Sequence, residues 1–542
     1  MRGYRSLAPL AFVVVVCSIV GGLFGRSALV AQDRVPEQYK VFTAALDAIE
    51  SSYVGDVQSD RLVYSAITGM LQTLDPHSSF MDPKSYAQMR ERQEGRYYGL
   101  GISIQVVEGD ITVFNVFEGS PAYQKGIRRG DVIARIEGAA TKGWTSDQAV
   151  GKLRGPKGTP IGVSVRRPGY DGLIELQVNR DEISLPTVPA VFMIDATTGY
   201  IRVSDFGEHT DEELGRALRT LTDKGMQKLV FDLRGNPGGA LDQAIRVANR
   251  FLPRGDLIVY TRGRVENSDQ DYRATEQSAY LNIPMVTLVN RSSASASEIV
   301  SGALQDHDRS LIVGETTFGK ALVQSVYRVS QGAGAAITTA RYYTPSGRLI
   351  QRPWDGTFDE YLTYTFREQD PNRAHKTEDL KYTDSGRPVY SGGGVEPDRR
   401  FDGPLQGFSP TRFSRSLYAR NAFDAFSQRF SRRGDTRIGV AATGQVRELA
   451  PGFELTDAMM AEFKEYVQKS GVAIDEAAWQ KDLEFIKAMV RYEIDVDLFG
   501  VAEASEQLAK RDPQLQYALG LFPEAQRLLE QGQRPASTRA QR

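Results

Sequence analysis

Leu229-Val230-Phe231-Asp232-Leu233-Arg234-Gly235-Asn236-Pro237-Gly238-Gly239-Ala240 passes from a β-type apolar run through a glycine-rich loop into a helical pattern that reaches Phe251. A strand that leaves through a tight glycine turn into a helix is the repeating unit of α/β folds. The same rhythm extends on both sides. Upstream lies a strand from Tyr200 to Phe206, then a helix opened by Thr210 with Glu213 three residues on, a spacing that predicts a capping box. Downstream come the strands Leu257 to Tyr260 and Pro284 to Asn290, the helix Glu298 to Leu304 and the strand Ser310 to Gly314. This order predicts a mainly parallel sheet covered by helices, with the functional loops at the carboxyl ends of its strands.

The flanking regions have a different texture. Val41, Ala45, Ile49 and Tyr53, then Leu62, Ala66, Met70 and Leu74, recur at helical spacing and predict paired amino-terminal helices. Short β-rich runs separated by glycine turns follow, at Ile102 to Val106, Ile111 to Phe114, Val132 to Ile136 and Ile161 to Val165, and predict a compact β module. Beyond Pro404 the pattern turns helical, with Leu417, Phe423, Phe426 and Phe430 on one stripe and Trp479, Leu483, Ile486, Val490 and Ile494 on a longer one opened by Asp475. Asp512-Pro513 opens a further short helix, and the end of the chain from Gly532 reads as a polar tail.

A chain of 542 residues exceeds what one hydrophobic core organises. With 66 Lys plus Arg against 68 Asp plus Glu it lacks the basic excess that nucleic-acid binding requires. Its single cysteine, Cys17, excludes an intrachain disulfide framework, a multi-cysteine zinc site and cysteine catalysis in the globular part. Arg2 and Arg5 precede an uncharged stretch from Leu7 to Gly25 that has the form of an export signal. At 1.5 Å per residue that stretch spans about 28 Å, and no clean small-x-small cleavage site follows, so it is expected to stay as a membrane anchor. The bulk of the chain is then extracytoplasmic, periplasmic in location, and Cys17 an inert thiol inside the anchor.

Two segments carry residues suited to catalysis. Val289 to Val300 leaves an apolar strand, crosses Ser292, Ser293, Ser295 and Ser297 and enters a helix. A serine at such an elbow is exposed beside amides that can hold a developing oxyanion. The residues alone read equally well as a serine-rich helix cap. Of the serines, Ser295 stands just before the first turn, whereas the Ser297 hydroxyl is expected to bond backbone amides. Serine needs a base. The four histidines, His77, His209, His307 and His375, sit at turns, caps or polar stretches, and His307 is expected to end the helix after Ser295. Lys320, among Phe318, Ala321, Leu322 and Val323, is the remaining candidate. A lone lysine is ordinarily a surface residue; to act as a base it must be desolvated, because its usual pKa is about 10.4.

Asp232-Leu233-Arg234-Gly235-Asn236-Pro237-Gly238-Gly239, Ser293-Ala294-Ser295-Ala296-Ser297-Glu298-Ile299 and Gly314-Glu315-Thr316-Thr317-Phe318-Gly319-Lys320 with Gln324 together resemble the carboxy-terminal processing peptidases, or tail-specific proteases. The resemblance implies Ser295 as nucleophile, Lys320 as general base, Gln324 as the residue that orients the lysine, and the amides of Gly238 and Ala296 as the oxyanion hole. Tyr98-Gly99-Leu100-Gly101-Ile102 resembles the carboxylate-binding loop of a PDZ domain, and Gly119-Ser120-Pro121-Ala122 with Gly126 to Ile133 resembles the rest of that signature. Such a module captures a terminal carboxylate on backbone amides while the tail adds a strand to the sheet edge.

The expected organisation is therefore α/β and α+β multidomain. It comprises an anchor and linker (1–33), an amino-terminal helical region (34–95), an inserted PDZ domain (96–182), a mainly parallel β-α-β catalytic core (183–403), a carboxy-terminal helical region (404–531) and a polar tail (532–542). The implied activity is a serine endopeptidase that selects proteins by their carboxyl-terminal tails, with no metal or other cofactor, no nucleic-acid partner, a membrane contact through residues 1–33 and homo-oligomerisation open. The rivals are a trypsin-like PDZ protease, opposed by Pro237 where that family has its serine and by a PDZ module that precedes the catalytic sheet, and a non-catalytic PDZ scaffold.

Overall fold

The computed structural model describes residues 34–167, 170–354, 360–361, 375–401, 411–427, 429–432 and 447–532. The stretch read as an anchor, with Cys17, and the tail from residue 533 lie outside the described residues. Among the described residues no helix is long and apolar enough to cross a membrane. The chain divides into two compact units, residues 1–83 with 326–337 and residues 84–325 with 338–542.

In the first unit, helices α1 (Arg34–Ser52) and α2 (Ser59–Gln72) precede β1 (Ser79–Met81). Strand β1 pairs antiparallel with residues 334–336, and the Tyr64 ring lies 4.9 Å from that of Phe80. The apolar stripe of α1 is not buried: Val41, Ile49 and Tyr53 are all exposed.

The β module of the second unit contains strands β2 (Ile102–Val107), β3 (Asp110–Val116), β4 (Val132–Ile136), β5 (Pro160–Arg166) and β6 (Ile174–Asn179), paired antiparallel in that order, with helix α3 (Ser146–Leu153). Alternate residues point inward, so Ile111 and Val113, Ile133 and Leu153, and Ile161, Val163 and Val165 form one core. The strands Arg96–Gly99 and Asp181–Ser184 pair antiparallel at its two chain ends.

The central sheet contains β7 (Ala190–Met193), β8 (Thr198–Arg202), β9 (Lys228–Asp232), β11 (Met285–Val289), β12 (Leu311–Gly314) and β15 (Arg399–Arg400), side by side in that order and parallel except for the β7–β8 pair. The strand β10 (Leu257–Gly263), expected in this rhythm, instead pairs antiparallel with residues 340–343 of β14 (Gly334–Tyr343) in a second sheet. Its other neighbour there is the strand Gln270–Arg273, and β13 (Leu322–Arg328) also pairs with β14.

Helices α4 (Thr210–Asp223), α5 (Leu241–Asn249) and α6 (Ala296–Asp306) cover one face, burying Leu214, Leu218, Val247 and Val300 against Phe231 and Val289. The expected capping box at Thr210 does not form: His209 is the N-cap, and Glu213 accepts instead from the amides of Thr187 and Val188. Those amides enter the core just before β7 without a sheet partner, and a carboxylate satisfies both more effectively than it would one helix terminus.

The carboxy-terminal helices pack into two separate cores. Helices α7 (Arg412–Ala419), α8 (Ala422–Ser427), α9 (Asp457–Lys469), α10 (Glu476–Lys481) and α11 (Leu483–Phe499) gather Phe423, Phe426, Phe463, Trp479, Ile486 and Ile494. The long stripe from Trp479 to Ile494 breaks at Asp482, whose carboxylate accepts from the amide and hydroxyl of Thr411. Helices α12 (Val501–Ala509), α13 (Pro513–Gly520) and α14 (Phe522–Gly532) follow, and Leu515, Ala518, Phe522 and Leu528 pack on the other face of the central sheet, against Val230, Val286, Leu311 and Val313. Both faces of the sheet are thus covered, and Met285 to Val289 is a continuous buried run.

Candidate active site

Three loops leave the carboxyl ends of the adjacent strands β9, β11 and β12, and every residue expected to act on a peptide bond lies on or just beyond them. The loop after β11 makes the elbow. Ser295 stands immediately before α6 with φ +53° and ψ −112°, a backbone conformation costly for any residue but glycine. Such strain persists only where the surroundings over-determine it. The Ser295 amide donates to a carboxylate oxygen of Glu298 at 2.8 Å, and the carbonyl of Ala294 accepts from Ser297 N at 3.1 Å.

The flanking serines fasten the elbow to the loop after β9. Ser293 is fully buried, with its hydroxyl donating to the Leu233 carbonyl at 2.8 Å. Ser297 was expected to bond backbone amides, yet its hydroxyl donates to the Asn236 carbonyl at 3.0 Å. The Ala294 amide donates to that same carbonyl, at 3.0 Å. The amides of Ser297, Glu298 and Ile299 are already taken by the carbonyls of Ala294 and Ser295, while the buried carbonyl of Asn236 needs donors, and Ser297 is the hydroxyl within reach. Asn236 itself is buried and holds the loop through its side chain, donating to Val203 O and accepting from the Gly238 amide, both at 2.9 Å. Gly238 has φ +103°, and a Cβ there would stand 2.7 Å from the Ser295 Cβ and 2.9 Å from the Ala296 amide nitrogen. Only glycine fits against the elbow at that point. The structure thus brings Gly238, Ser295 and Ala296 together, with the Gly238 amide engaged by Asn236.

The third loop delivers Lys320. Its Nζ donates to the side-chain oxygen of Gln324, on β13, at 3.0 Å. One buried carboxylate joins this loop to the elbow. Glu298 accepts from Ser295 N at 2.8 Å and Lys320 N at 2.9 Å, and from Gly319 N at 2.6 Å and the Thr317 hydroxyl at 2.5 Å. Burial pushes its pKa up to about 7, against the four donors, which favour the ionised form. The Tyr342 hydroxyl adds a second clamp, donating to the Lys320 carbonyl at 2.6 Å and lying 3.0 Å from that of Ser295. Sequence reasoning passed over Glu298, Asn236 and Tyr342. For Glu298 a signal existed, since Ser295-x-x-Glu298 is the spacing of a capping box. Tyr342 is 22 residues from Lys320 and 47 from Ser295, and no local pattern marks it.

Three of the four histidines serve elsewhere. His307 ends α6, with Nδ1 2.9 Å from Asp384 Oδ2 and Nε2 2.7 Å from the Leu257 carbonyl. Burial lowers its pKa, but these partners outweigh burial and hold the ring protonated, at about 9. His375 stacks on Tyr390 at 3.7 Å, and His209 lies at the start of α4.

In the β module, Tyr98 and Gly99 close the strand 96–99 and Leu100-Gly101-Ile102 leads into β2. The carbonyl of Leu100 accepts from Ala122 N and that of Gly101 from Phe117 N, both at 2.9 Å. Gly101 packs so closely that a Cβ would meet that of Ser120 at 2.2 Å. The loop is thereby held with its carbonyls turned toward the body of the module.

Residues 197–357 match peptidase family S41, residues 88–166 the PDZ domain, and residues 26–85 the amino-terminal domain of the activating protease CtpB. The carboxy-terminal-processing protease of Bartonella bacilliformis is 39% identical over 320 residues, 58% of this chain and 73% of that protein. The carboxy-terminal processing protease CtpA of Bacillus subtilis is 33% identical over 352 residues, 63% of this chain and 75% of that one. The structure of a photosystem II D1 C-terminal processing protease aligns with 67% of the chain and 92% of its own length, at 28% identity and a TM-score of 0.33. With a PDZ module set before an α/β core whose three strand-end loops converge on one serine, the chain belongs to the carboxy-terminal processing proteases, serine-type peptidases of family S41.

Proposed function

We propose that this peptidase is an endopeptidase that selects proteins through their carboxyl-terminal tails and cleaves them with a Ser295–Lys320 dyad. The observation that carries the reading is the grip of Glu298 on the amides of both Ser295 and Lys320, which ties nucleophile and base to one rigid point. Lys320, neutral when active, takes the proton from Ser295 Oγ as that oxygen attacks the scissile carbonyl, and then gives it to the departing amine. Water hydrolyses the resulting ester with the lysine again as base. Gln324 fixes the direction of Nζ through its 3.0 Å contact. The amides of Ala296 and Gly238 receive the oxyanion, which requires the Gly238 amide to turn from Asn236 Oδ1 as substrate enters.

A serine-reactive phosphonate should form one adduct, on Ser295, and Ser295→Ala should abolish both adduct and hydrolysis. Lys320→Arg should be equally inactive, because a guanidinium with a pKa above about 12 cannot accept the proton. An adduct on another serine, or substantial turnover by Lys320→Arg, would overturn the dyad. Tail selection rests on the loop Tyr98 to Ile102: a protein substrate with a free carboxyl terminus should be cleaved faster than its amidated twin, and equal rates would remove it. The basic and apolar run from Arg2 to Gly25 supports a location outside the cytoplasmic membrane, held there by that segment. Fractionation of cells expressing the full chain and a chain begun at residue 34 tests this, and equal membrane association of both would refute it.

A further inference from the structure

The strands β9, β11 and β12 lie side by side, and past their carboxyl ends the sheet ladder stops, so nothing in the ladder sets the spacing of the three loops that follow. A side chain from the far end of the sequence touches all three junctions. The Gln514 Nε2 donates to the carbonyls of Val289, the last residue of β11, at 3.4 Å and Val313, in β12, at 3.3 Å. Its Oε1 accepts from Arg234 Nη1, two residues beyond β9, at 3.2 Å.

Asp512 completes the arrangement. Arg234 Nη2 sits between Asp232 Oδ2 at 2.6 Å and Asp512 Oδ2 at 2.7 Å, with the arginine side chain only 16% exposed. The other oxygen of Asp512 caps α13, accepting from Gln514 N at 3.0 Å and Leu515 N at 3.2 Å. The helix cannot drift, because Leu515 and Ala518 are fully buried in the core on that face of the sheet. Arg234 opens the loop that carries Gly238, so a shift of the guanidinium is passed along four residues to the amide beside Ser295.

We infer that Asp512 and Gln514 are positioning residues of the peptidase site, through which the carboxy-terminal helices set the mutual spacing of the Gly238, Ser295 and Lys320 loops. The inference rests on the dyad reading above. Misplacement of reacting groups by a fraction of an ångström lowers the rate of acylation while leaving ground-state peptide binding nearly unchanged.

The test uses the full chain and measures phosphonate labelling rate, peptide kcat and KM, and melting temperature. Asp512→Asn keeps the helix cap, removes the charge facing Arg234 and sets an NH2 against its guanidinium in place of an acceptor. Gln514→Ala removes the bridge, and Leu528→Ala removes a buried side chain of the same core that lies on α14 rather than α13. Asp512→Asn and Gln514→Ala should label and turn over about tenfold more slowly at unchanged KM. Asp512→Asn should melt within a few degrees of wild type, and Leu528→Ala should melt lower yet label at the wild-type rate. Wild-type labelling by Asp512→Asn, or a loss in Leu528→Ala that matches Gln514→Ala, would overturn the inference. If Gln514→Ala does not fold, Asp512→Asn against Leu528→Ala decides. Labelling of Ser295→Ala would instead sink the dyad reading and leave the spacing argument separately measurable on whichever serine reacts.

Discussion

Two buried acidic clusters in the second unit are built on opposite plans. At the elbow one carboxylate, Glu298, meets four donors, three backbone amides and a threonine hydroxyl. At the junction between the PDZ module and the carboxy-terminal helices, three carboxylates share one guanidinium. Arg129 Nε lies 2.6 Å from Asp424 Oδ1 and Nη1 3.9 Å from Asp497, and Nη1 also pairs with Glu493. The Phe114 ring sits 5.3 Å from that guanidinium, and the Ser427 hydroxyl bonds Asp497. Burial raises the pKa of both Asp424 and Asp497, with Arg129 only partly offsetting it. Donors fixed in a backbone hold one geometry, so the elbow is a positional device. A surplus of like charge around one cation leaves the junction dependent on protons.

The largest effect should come from breaking the second cluster. Arg129→Ala leaves three buried carboxylates without their cation and should cost about 3 kcal/mol or more at neutral pH. The loss should be localised, read as faster amide exchange in residues 128–131 and along α11 with exchange at α6 unchanged. Uniform loosening of the whole chain would mean that the junction is not a separate element.

Glu298→Gln tests the first plan. An amide NH2 must face at least one of the four donors, so the elbow should lose roughly a hundredfold in acylation, about 2.7 kcal/mol. Single-turnover labelling measures this, and a rate within threefold of wild type would show that the carboxylate does not set the geometry.

A subtler effect separates the clusters by pH. The folded pKa of Glu298, about 7, exceeds its ordinary value of 4.5, so the stability it contributes is complete below about 4.5 and is lost as pH rises through 7. Activity runs the other way, since only the ionised form can accept from all four donors, and labelling should fall as pH drops below 7. Opposed pH dependences of melting temperature and labelling rate, both altered in Glu298→Gln, check the sign. The smallest change is expected from Asp424→Asn, which removes a carboxyl that burial pushes up to about 8 and that ionises only as pH rises past it. It should leave the junction nearly unchanged at neutral pH, stabilise it by about 1 kcal/mol or less above about pH 8 and flatten its pH dependence, measured by the same exchange experiment.

The sequence by itself determined the α/β rhythm, the β module, and the three strand-end loops on or just beyond which Ser295, Lys320 and Gln324 lie. The reason is that these signals are local. A buried parallel strand must be apolar throughout, a helix must repeat every 3.6 residues, and a tight strand-to-helix turn needs small residues, all readable within a dozen positions. Tertiary structure alone decided what the polar side chains would find. Glu213 left its expected cap for the amides ahead of β7, Ser297 turned to the Asn236 carbonyl, and the apolar strand Leu257–Gly263 joined an antiparallel partner. The helical stretch after residue 411 divided into one core of its own and one shared with the central sheet. Arg129 and Glu493 are 364 residues apart, and Gln514 reaches Val289 across 225. A polar group buried by folding must find a partner wherever the chain brings one, and no periodicity in the sequence records that distance.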